Sequence, residues 1–326
     1  MFSTTLRRTW LATLCCLLLA PTAHAQGLPP IYQHTPTRVV PAKTVASQPA
    51  GTFLENVVLD GQGTAYITNY PAGQVLRLPH NSTLSVYATL PGTVAGVVLL
   101  PDGGLLVDGV AKAGLPTVWR VAAGGKTVEV LLTLPKAQFP NGMTQLAPNR
   151  YLMADSFLGA IWEINLTTRQ ASIWLQHPLL ARKAETDKVP GVNGLKLNGT
   201  TLYASNTDRK LLLKIPVANG RPGTPREFVK DTNIDDFAFD GAGNLYGATH
   251  FYNSVVRVSA TGQTTLVATA AQGVTGSTAV AFGRAAGDQQ ALYVVTNGGM
   301  SLPPPTGIEP AKVVRLDIRA RATAQR

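Results

Sequence analysis

Four oxygen-bearing residues recur at matching places along this chain: Glu55, Asn141, Asn193 and Asp235. Each stands at the mouth of an apolar, strand-like run, in "ENVVLD", "NGMTQL", "NGLKLN" and "DDFAFD". Asn and Asp ahead of a strand are common turn formers whose side chains satisfy the local backbone, and taken singly each has that reading. Glu is a poor turn former, so Glu55 in the set asks for another reason. Two carboxylates and two amide oxygens brought together would make a hard-oxygen site. Such a set suits Ca²⁺, or Mg²⁺ or Mn²⁺ with waters, better than a soft metal, with Zn²⁺ a remaining option.

The elements that must gather these residues are repeats. Six segments share the form apolar-apolar-charged-apolar: "VLRL" (75–78), "VWRV" (118–121), "IWEI" (161–164), "LLKI" (212–215), "VVRV" (255–258) and "VVRL" (313–316). Their starts lie 43, 43, 51, 43 and 58 positions apart, the period of a four-stranded propeller blade. Each is preceded by two strand-like runs joined at turns such as Asp60-Gly61, Asp102-Gly103 and Asp240-Gly241. The last copy lacks a fourth run, and "PTRVVPAKTV" (36–45) has the composition to supply it and to cover the open edge. No segment sustains a 3.6-residue apolar period. The expected fold is an all-β six-bladed propeller closed by an N-terminal strand.

In such a ring the first strand of each blade lines the central channel, so Glu55, Asn141, Asn193 and Asp235 should converge on the axis from blades one, three, four and five. The second strand returns antiparallel and ends on the same face. That adds Asn69, Tyr70, Asp108, Asp155, Ser156, Asn206, Asp208, His250 and Asn297 as rim candidates. Asn69, Tyr70, Asp155, Asn206, His250 and Asn297 are the expected substrate contacts. Of the histidines beyond the leader, His34, His80 and His177 fall in the tail or outer turns. His250, in "GATHFYNS", opens on the rim as general base, substrate contact or structural residue. Trp119, Trp162 and Trp174 read as inter-blade packing. Two long loops, 177–191 and the proline-rich 298–312, should wall the site. The stretch "DTNIDDFAFDGA" is no EF-hand loop, since Asp236 replaces its glycine and Ala242 its glutamate. Neither G-x-S-x-G nor H-E-x-x-H occurs.

Residues 1–25 carry Arg7 and Arg8, an apolar run and Ala23-His24-Ala25, the form of a secretory signal cut before Gln26. Sec or twin-arginine export is left open, and the expected location is periplasmic or secreted. Cys15 and Cys16, the two cysteines of the chain, both lie in this leader, which excludes disulfides, thiolate nucleophiles and cysteine–zinc sites downstream. The formal charge of +10 includes two from the leader arginines, and the basic residues are scattered. That reads as solubilising charge, with no nucleic acid or transmembrane anchor expected.

The quoted motifs resemble those of the gluconolactonase and senescence-marker-protein (regucalcin) family of six-bladed propellers. "ENVVLD" is similar to its Glu-led opening, "PNGMTQL" and "VNGLKLNGTTLYASN" to its Asn-Gly segments, and "DDFAFDGAGNLYGATH" to its Asp segment, over about residues 50–300. The resemblance implies that Glu55, Asn193 and Asp235 bind a divalent metal, that Asn141 faces metal or substrate, and that Asp235 also transfers a proton. Paraoxonases use a similar Glu/Asn/Asn/Asp calcium set. Asn56 and Asp236 depart from the family, standing where it has small residues. The expectation is thus a signal at 1–25, an extension at 26–35, a propeller at 36–320 and a tail at 321–326. The expected function is metal-dependent hydrolysis of a small-molecule lactone or ester by a monomer, with Asp235 and His250 as catalytic candidates. The alternative is a non-enzymatic exported propeller whose structural metal supports binding of a ligand or protein.

Overall fold

In the computed structural model, which describes residues 32–319, six antiparallel sheets follow one another along the chain. Blade one is β2 (Leu54–Leu59), β3 (Ala65–Asn69), β4 (Gln74–Leu78) and β5 (Ser85–Thr89); blade two is β6 (Gly92–Leu99), β7 (Leu105–Ala111), β8 (Pro116–Val121) and β9 (Val128–Thr133). Blade three is β10 (Pro140–Ala147), β11 (Arg150–Asp155), β12 (Ala160–Asn165) and β13 (Gln170–Gln176). Blade four is β14 (Val192–Asn198), β15 (Thr201–Asn206) and β16 (Leu211–Ala218), with its outer edge split between β17 (Arg221–Pro222) and β18 (Arg226–Val229). Blade five is β19 (Phe237–Phe239), β20 (Leu245–Ala248), β21 (Ser254–Val258) and β22 (Thr264–Thr269). Blade six is β23 (Ser277–Phe282), β24 (Ala291–Thr296), β25 (Pro310–Asp317) and, as its outer strand, β1 (Ala42–Ala50).

All six charged repeats are third strands, and in four blades the charge ties the strand to its own blade's first hairpin. Arg120 pairs with Asp102, Arg315 Nε donates to Asp288 Oδ1 at 2.8 Å and Arg257 donates to Asn244 at 2.6 Å, each to its own blade's first hairpin. Blade three inverts the pair, with Arg150 donating to Glu163. Lys214 instead lies 3.5 Å from the Phe228 ring centroid. The apolar neighbours of these charges face the seams. Each core cluster joins two adjacent blades; Leu54, Ile67 and Leu76 of blade one, for example, meet Ala279, Tyr293 and Val313 of blade six. Trp119, fully buried, fills the seam between blades one and two.

Closure differs from expectation in register. The strand that pairs with β25 is Ala42–Ala50, so only the end of the 36–45 run enters it. Residues ahead of it run along blade five, where Arg38 N donates to Leu266 O and Val40 N to Val267 O. The segment thus staples two blades before it closes the ring. Tyr32, assigned to the extension, is also buried in the seam of blades four and five, its hydroxyl accepting from Asn233 N at 3.0 Å. The leader at 1–25 and the tail at 321–326 lie outside the described residues. Among those described, no helix is long and apolar enough to cross a membrane.

Candidate functional site at the channel mouth

A repeated backbone irregularity aims the site residues. In blades one to four the inner strand bulges at Glu55-Asn56, Ala95-Gly96, Asn141-Gly142 and Asn193-Gly194, and in blade six at Thr278. A bulge turns a side chain out of the regular alternation, here from blade seam to channel. Glu55, Asn141 and Asn193 are therefore inside their strands, not in turns ahead of them. Asp235 alone precedes its strand, β19. The glycines have a separate reason. A Cβ on Gly142 would lie 2.6 Å from Asn193 O, and one on Gly194 2.7 Å from Asp235 O, so adjacent inner strands could not approach as closely.

Around the axis these positions read Glu55, Ala95, Asn141, Asn193, Asp235 and Thr278. Asn193 Nδ2 donates to Asp235 Oδ1 at 2.5 Å and to Thr207 Oγ1 at 3.1 Å. Asn141 Nδ2 donates to Ser156 Oγ at 3.3 Å, and Ser156 Oγ donates onward to Val192 O at 2.6 Å. Each amide thus spends its nitrogen on the wall, and neither Oδ1 accepts a hydrogen bond among the described residues. Among them no donor reaches the Glu55 carboxylate either. Burial, and after it the charges of Asp235, Asp236 and Asp108, push the Glu55 carboxyl well above the usual range. Asp235 is also raised, by burial first, although hydrogen bonds from His250 and Asn193 oppose the shift.

His250 sits in a one-turn 3-10 helix, His250–Tyr252, just after β20. Its Nδ1 is 2.9 Å from Asp235 Oδ2, and its Nε2 is 2.7 Å from Asn297 Nδ2. Asn297 Oδ1 accepts the backbone N–H groups of Gly299 and Met300, so its amide nitrogen must face the imidazole. That fixes the neutral tautomer: Nε2 accepts and Nδ1–H donates to Asp235. Ser301, in the 298–312 loop, comes within 3.2 Å of the same Nε2, so this loop does wall the site.

Below the ring a salt bridge crosses the axis. Lys196 Nζ, from blade four, lies 2.6 and 2.8 Å from the two Asp236 oxygens, and Asn56 Nδ2, from blade one, donates to Asp236 Oδ2 at 3.2 Å. Blades one and four stand opposite each other in a ring of six, so Asp236 bridges the channel. Three axial residues lack a following glycine, and two of the residues that replace it, Asn56 and Asp236, form this floor, the third being Ala279.

Several rim candidates have other tasks. Asp155 is fully buried and accepts from Gln138 N, Phe139 N, Leu158 N and Trp162 Nε1. Asn206, also fully buried, donates to Leu179 O and Ala181 O and accepts from Arg209 N. Both pin loops behind the site and are removed from the substrate-contacting set. Asn69 and Tyr70 stay at the rim, partly exposed. Burial, then the neighbouring Glu55 charge, raises the Tyr70 phenol. The sequence reading missed an arc of rings beside Tyr70. Phe53 lies 5.7 Å from Tyr70 and 5.6 Å from His250, Tyr70 lies 6.4 Å from Phe139, and Phe139 stacks on Phe157 at 4.8 Å, all between ring centroids. Phe53 and Phe139 stand two residues ahead of Glu55 and Asn141, and that spacing was the available signal. Two clefts, of about 830 Å³ beside Arg257 and about 580 Å³ beside Arg315, lie at hairpins on the opposite face. Among the described residues, no three His, Cys, Asp or Glu side chains group as a metal cluster. The candidate donor set is therefore mixed carboxylate and amide.

No protein-family model and no curated protein matches the chain. Solved structures do. A calcium-binding protein, regucalcin, from Agrobacterium tumefaciens is 15% identical with a TM-score of 0.67, over 89% of this chain and 98% of that one. A gluconolactonase from Xanthomonas campestris is 15% identical with a TM-score of 0.63, over 86% of this chain and 89% of that one. Virginiamycin B lyase from Staphylococcus aureus is 16% identical with a TM-score of 0.55, over 79% of this chain and 82% of that one. At these identities the likeness is one of fold. The chain is a six-bladed β-propeller, closed through β1 and β25, whose fold is related to that of the regucalcin, gluconolactonase and virginiamycin B lyase structures.

Proposed function

We propose that the channel mouth is the active site of a metal-dependent hydrolase of lactones or esters, in a monomer exported to the periplasm or secreted. One observation carries the reading. Among the described residues no donor reaches the Glu55 carboxylate, which shares the axis with Asp235 and with two amide oxygens, of Asn141 and Asn193, that accept no hydrogen bond there. Hard oxygens bearing two formal charges fit a calcium-sized cation, with Mg²⁺, Mn²⁺ or Zn²⁺ as smaller options. When bound, such an ion polarises a carbonyl and acidifies a water. The names of the regucalcin and gluconolactonase structures support the same reading.

The chain's own residues supply the rest. Glu55, Asn141 and Asn193 would hold the ion, with Asp235 at the edge of the set. Asp235 keeps a free lone pair on each oxygen and takes the proton of the attacking water. Burial makes its carboxylate more basic than an exposed one, which favours that transfer. Asp235 then returns the proton to the leaving oxygen. His250 does not compete as base, because Asn297 already donates to its Nε2. It holds Asp235 in orientation through Nδ1–H. The Lys196–Asp236 pair, with Asn56, ties blades one, four and five together beside these residues.

The test is hydrolysis of a lactone and aryl-ester panel with Ca²⁺ added or chelated. Turnover that needs the metal and is lost in Asp235→Asn is the expected result. Metal binding with no turnover across the panel would instead favour the binding-module alternative.

A further inference from the structure

The arc of rings at the mouth lies where the inner ring of polar residues is interrupted. Blade two contributes Ala95 at the position that carries Glu55, Asn141, Asn193 or Asp235 elsewhere. Above that gap, Phe53 and Tyr70 of blade one meet Phe139 and Phe157 of blade three, all four rings partly exposed. Neighbouring rings meet tilted or stacked at 4.8 to 6.4 Å, the spacing of rings that pack as a continuous wall. At its far end Arg182 lies 4.3 Å from the Phe157 ring centroid, with its N–H groups held by the Asp187 and Phe157 carbonyls. At its near end Phe53 packs edge-on against His250, itself 2.9 Å from Asp235. The wall therefore starts at the candidate chemistry and leads away from it.

Its chemistry selects a ligand. A polyol placed here would lose water from several hydroxyls, and blade two has no polar side chain at the inner position to replace it. A planar apolar group would bury its faces against the rings and keep its carbonyl over the polar positions. We propose that Phe53, Tyr70, Phe139 and Phe157 bind the aromatic or planar apolar body of the substrate, which makes aryl esters and ring-fused aromatic lactones the preferred class. This specificity rests on the hydrolase reading above, but the binding surface does not.

Two measurements separate the two. The first is the ratio of kcat/KM for phenyl acetate to that for methyl acetate. The second is binding of acetanilide, the amide counterpart of phenyl acetate, followed by saturation-transfer NMR. Phe139→Ala should lower the ratio about tenfold or more and abolish the acetanilide signal, and Phe139→Tyr should restore both. Phe157→Leu, a milder change, should act in the same direction and serves if Phe139→Ala fails to fold. Acetanilide binding that depends on Phe139 without turnover of any ester would keep the aromatic site and reject the hydrolase. Hydrolysis with an equal ratio in wild type and Phe157→Leu, or no acetanilide signal in wild type, would overturn the aromatic site while leaving the hydrolase.

Discussion

His250 Nδ1 stands 2.9 Å from Asp235 Oδ2, and Asn297 closes the other side of the imidazole at 2.7 Å. The three residues come from the entrance of β19, the end of β20 and the end of β24. Their order fixes which nitrogen carries the proton. The contact turns two isolated candidates into one oriented unit, with Asp235 as acceptor and His250 as its support.

Asn297→Asp tests that orientation. A carboxylate facing Nε2 would place a second proton on the ring, and an imidazolium beside Asp235 would make that carboxylate a weaker base. The expected outcome is a loss of kcat of about 10²-fold, within the range for disturbed acid–base catalysis, with KM changed far less. The pH–rate profile should shift as well. An unshifted profile with normal kcat would mean that His250 is only structural.

Metal and proton should compete for the Glu55 region. Its folded-state carboxyl is raised above the ordinary value of 4.5, so the native state binds the proton more tightly than the unfolded chain does. The stability this gives is fully present below the unfolded value and is lost as pH rises through the folded one. Without metal, Tm should therefore fall as pH climbs above the ordinary carboxylate range. Calcium should reduce the decline by taking the proton's place, adding stability by mass action. Glu55→Gln should make the metal-free profile shallower, leaving the part that Asp235 and Asp108 contribute, and abolish the calcium gain. Thermal scans with chelator and with Ca²⁺, from acid to neutral pH, decide it.

Asp108 occupies the place that a hydroxyl fills in two other blades. Thr68 Oγ1 accepts Asn56 N and donates to Ala95 O, and Ser205 Oγ accepts Gly194 N and donates to Asp235 O. Asp108 Oδ1 accepts Gly96 N in the same way, but its buried Oδ2 has no partner among the described residues, and burial pushes the carboxyl well up. Asp108→Thr should reproduce the relay and stabilise the fold by about 1–3 kcal/mol at neutral pH, the usual cost of an unsatisfied buried polar group. The gain should shrink on acidification, because protonated Asp108 is the favoured native form. Urea unfolding at two pH values measures both effects.

The floor should behave as a coupled pair. Lys196→Met leaves Asp236, only 2% exposed, without its cation. A loss of about 3 kcal/mol is expected, the low end for breaking a buried pair, because Lys196 is partly exposed. Adding Asp236→Gly should recover most of it. If the double variant is no more stable than the single one, the pair carries no such coupling.

The blade count and the third strands were legible in the sequence because a blade is a local unit. The four-residue repeat follows from three apolar side chains facing the two seams and one charge that in four blades closes the blade's own hairpin, all within one period. Glu55, Asn141, Asn193 and Asp235 were legible as a set for the same reason, since equivalent repeat positions become neighbours around an axis. Other features depend on contacts between blades, which no local pattern encodes. The Asn-Gly pairs at 141–142 and 193–194 look like turns, but adjacent inner strands pack so closely that only glycine fits beside the bulge. Asp155 and Asn206 share the composition of rim ligands, and burial behind the loops gave their oxygens and nitrogens to backbone partners. Asn56 and Asp236 read as departures from a pattern until blades one and four faced each other across the channel. Phe53, Phe139 and Phe157 lie far apart in the chain, and only the ring of blades brings them together as one surface beside the gap at Ala95. The sequence by itself determined a six-fold repeat and the oxygens it carries. The tertiary structure decided which oxygens stay free, because a hydrogen-bond partner from another blade is set by packing.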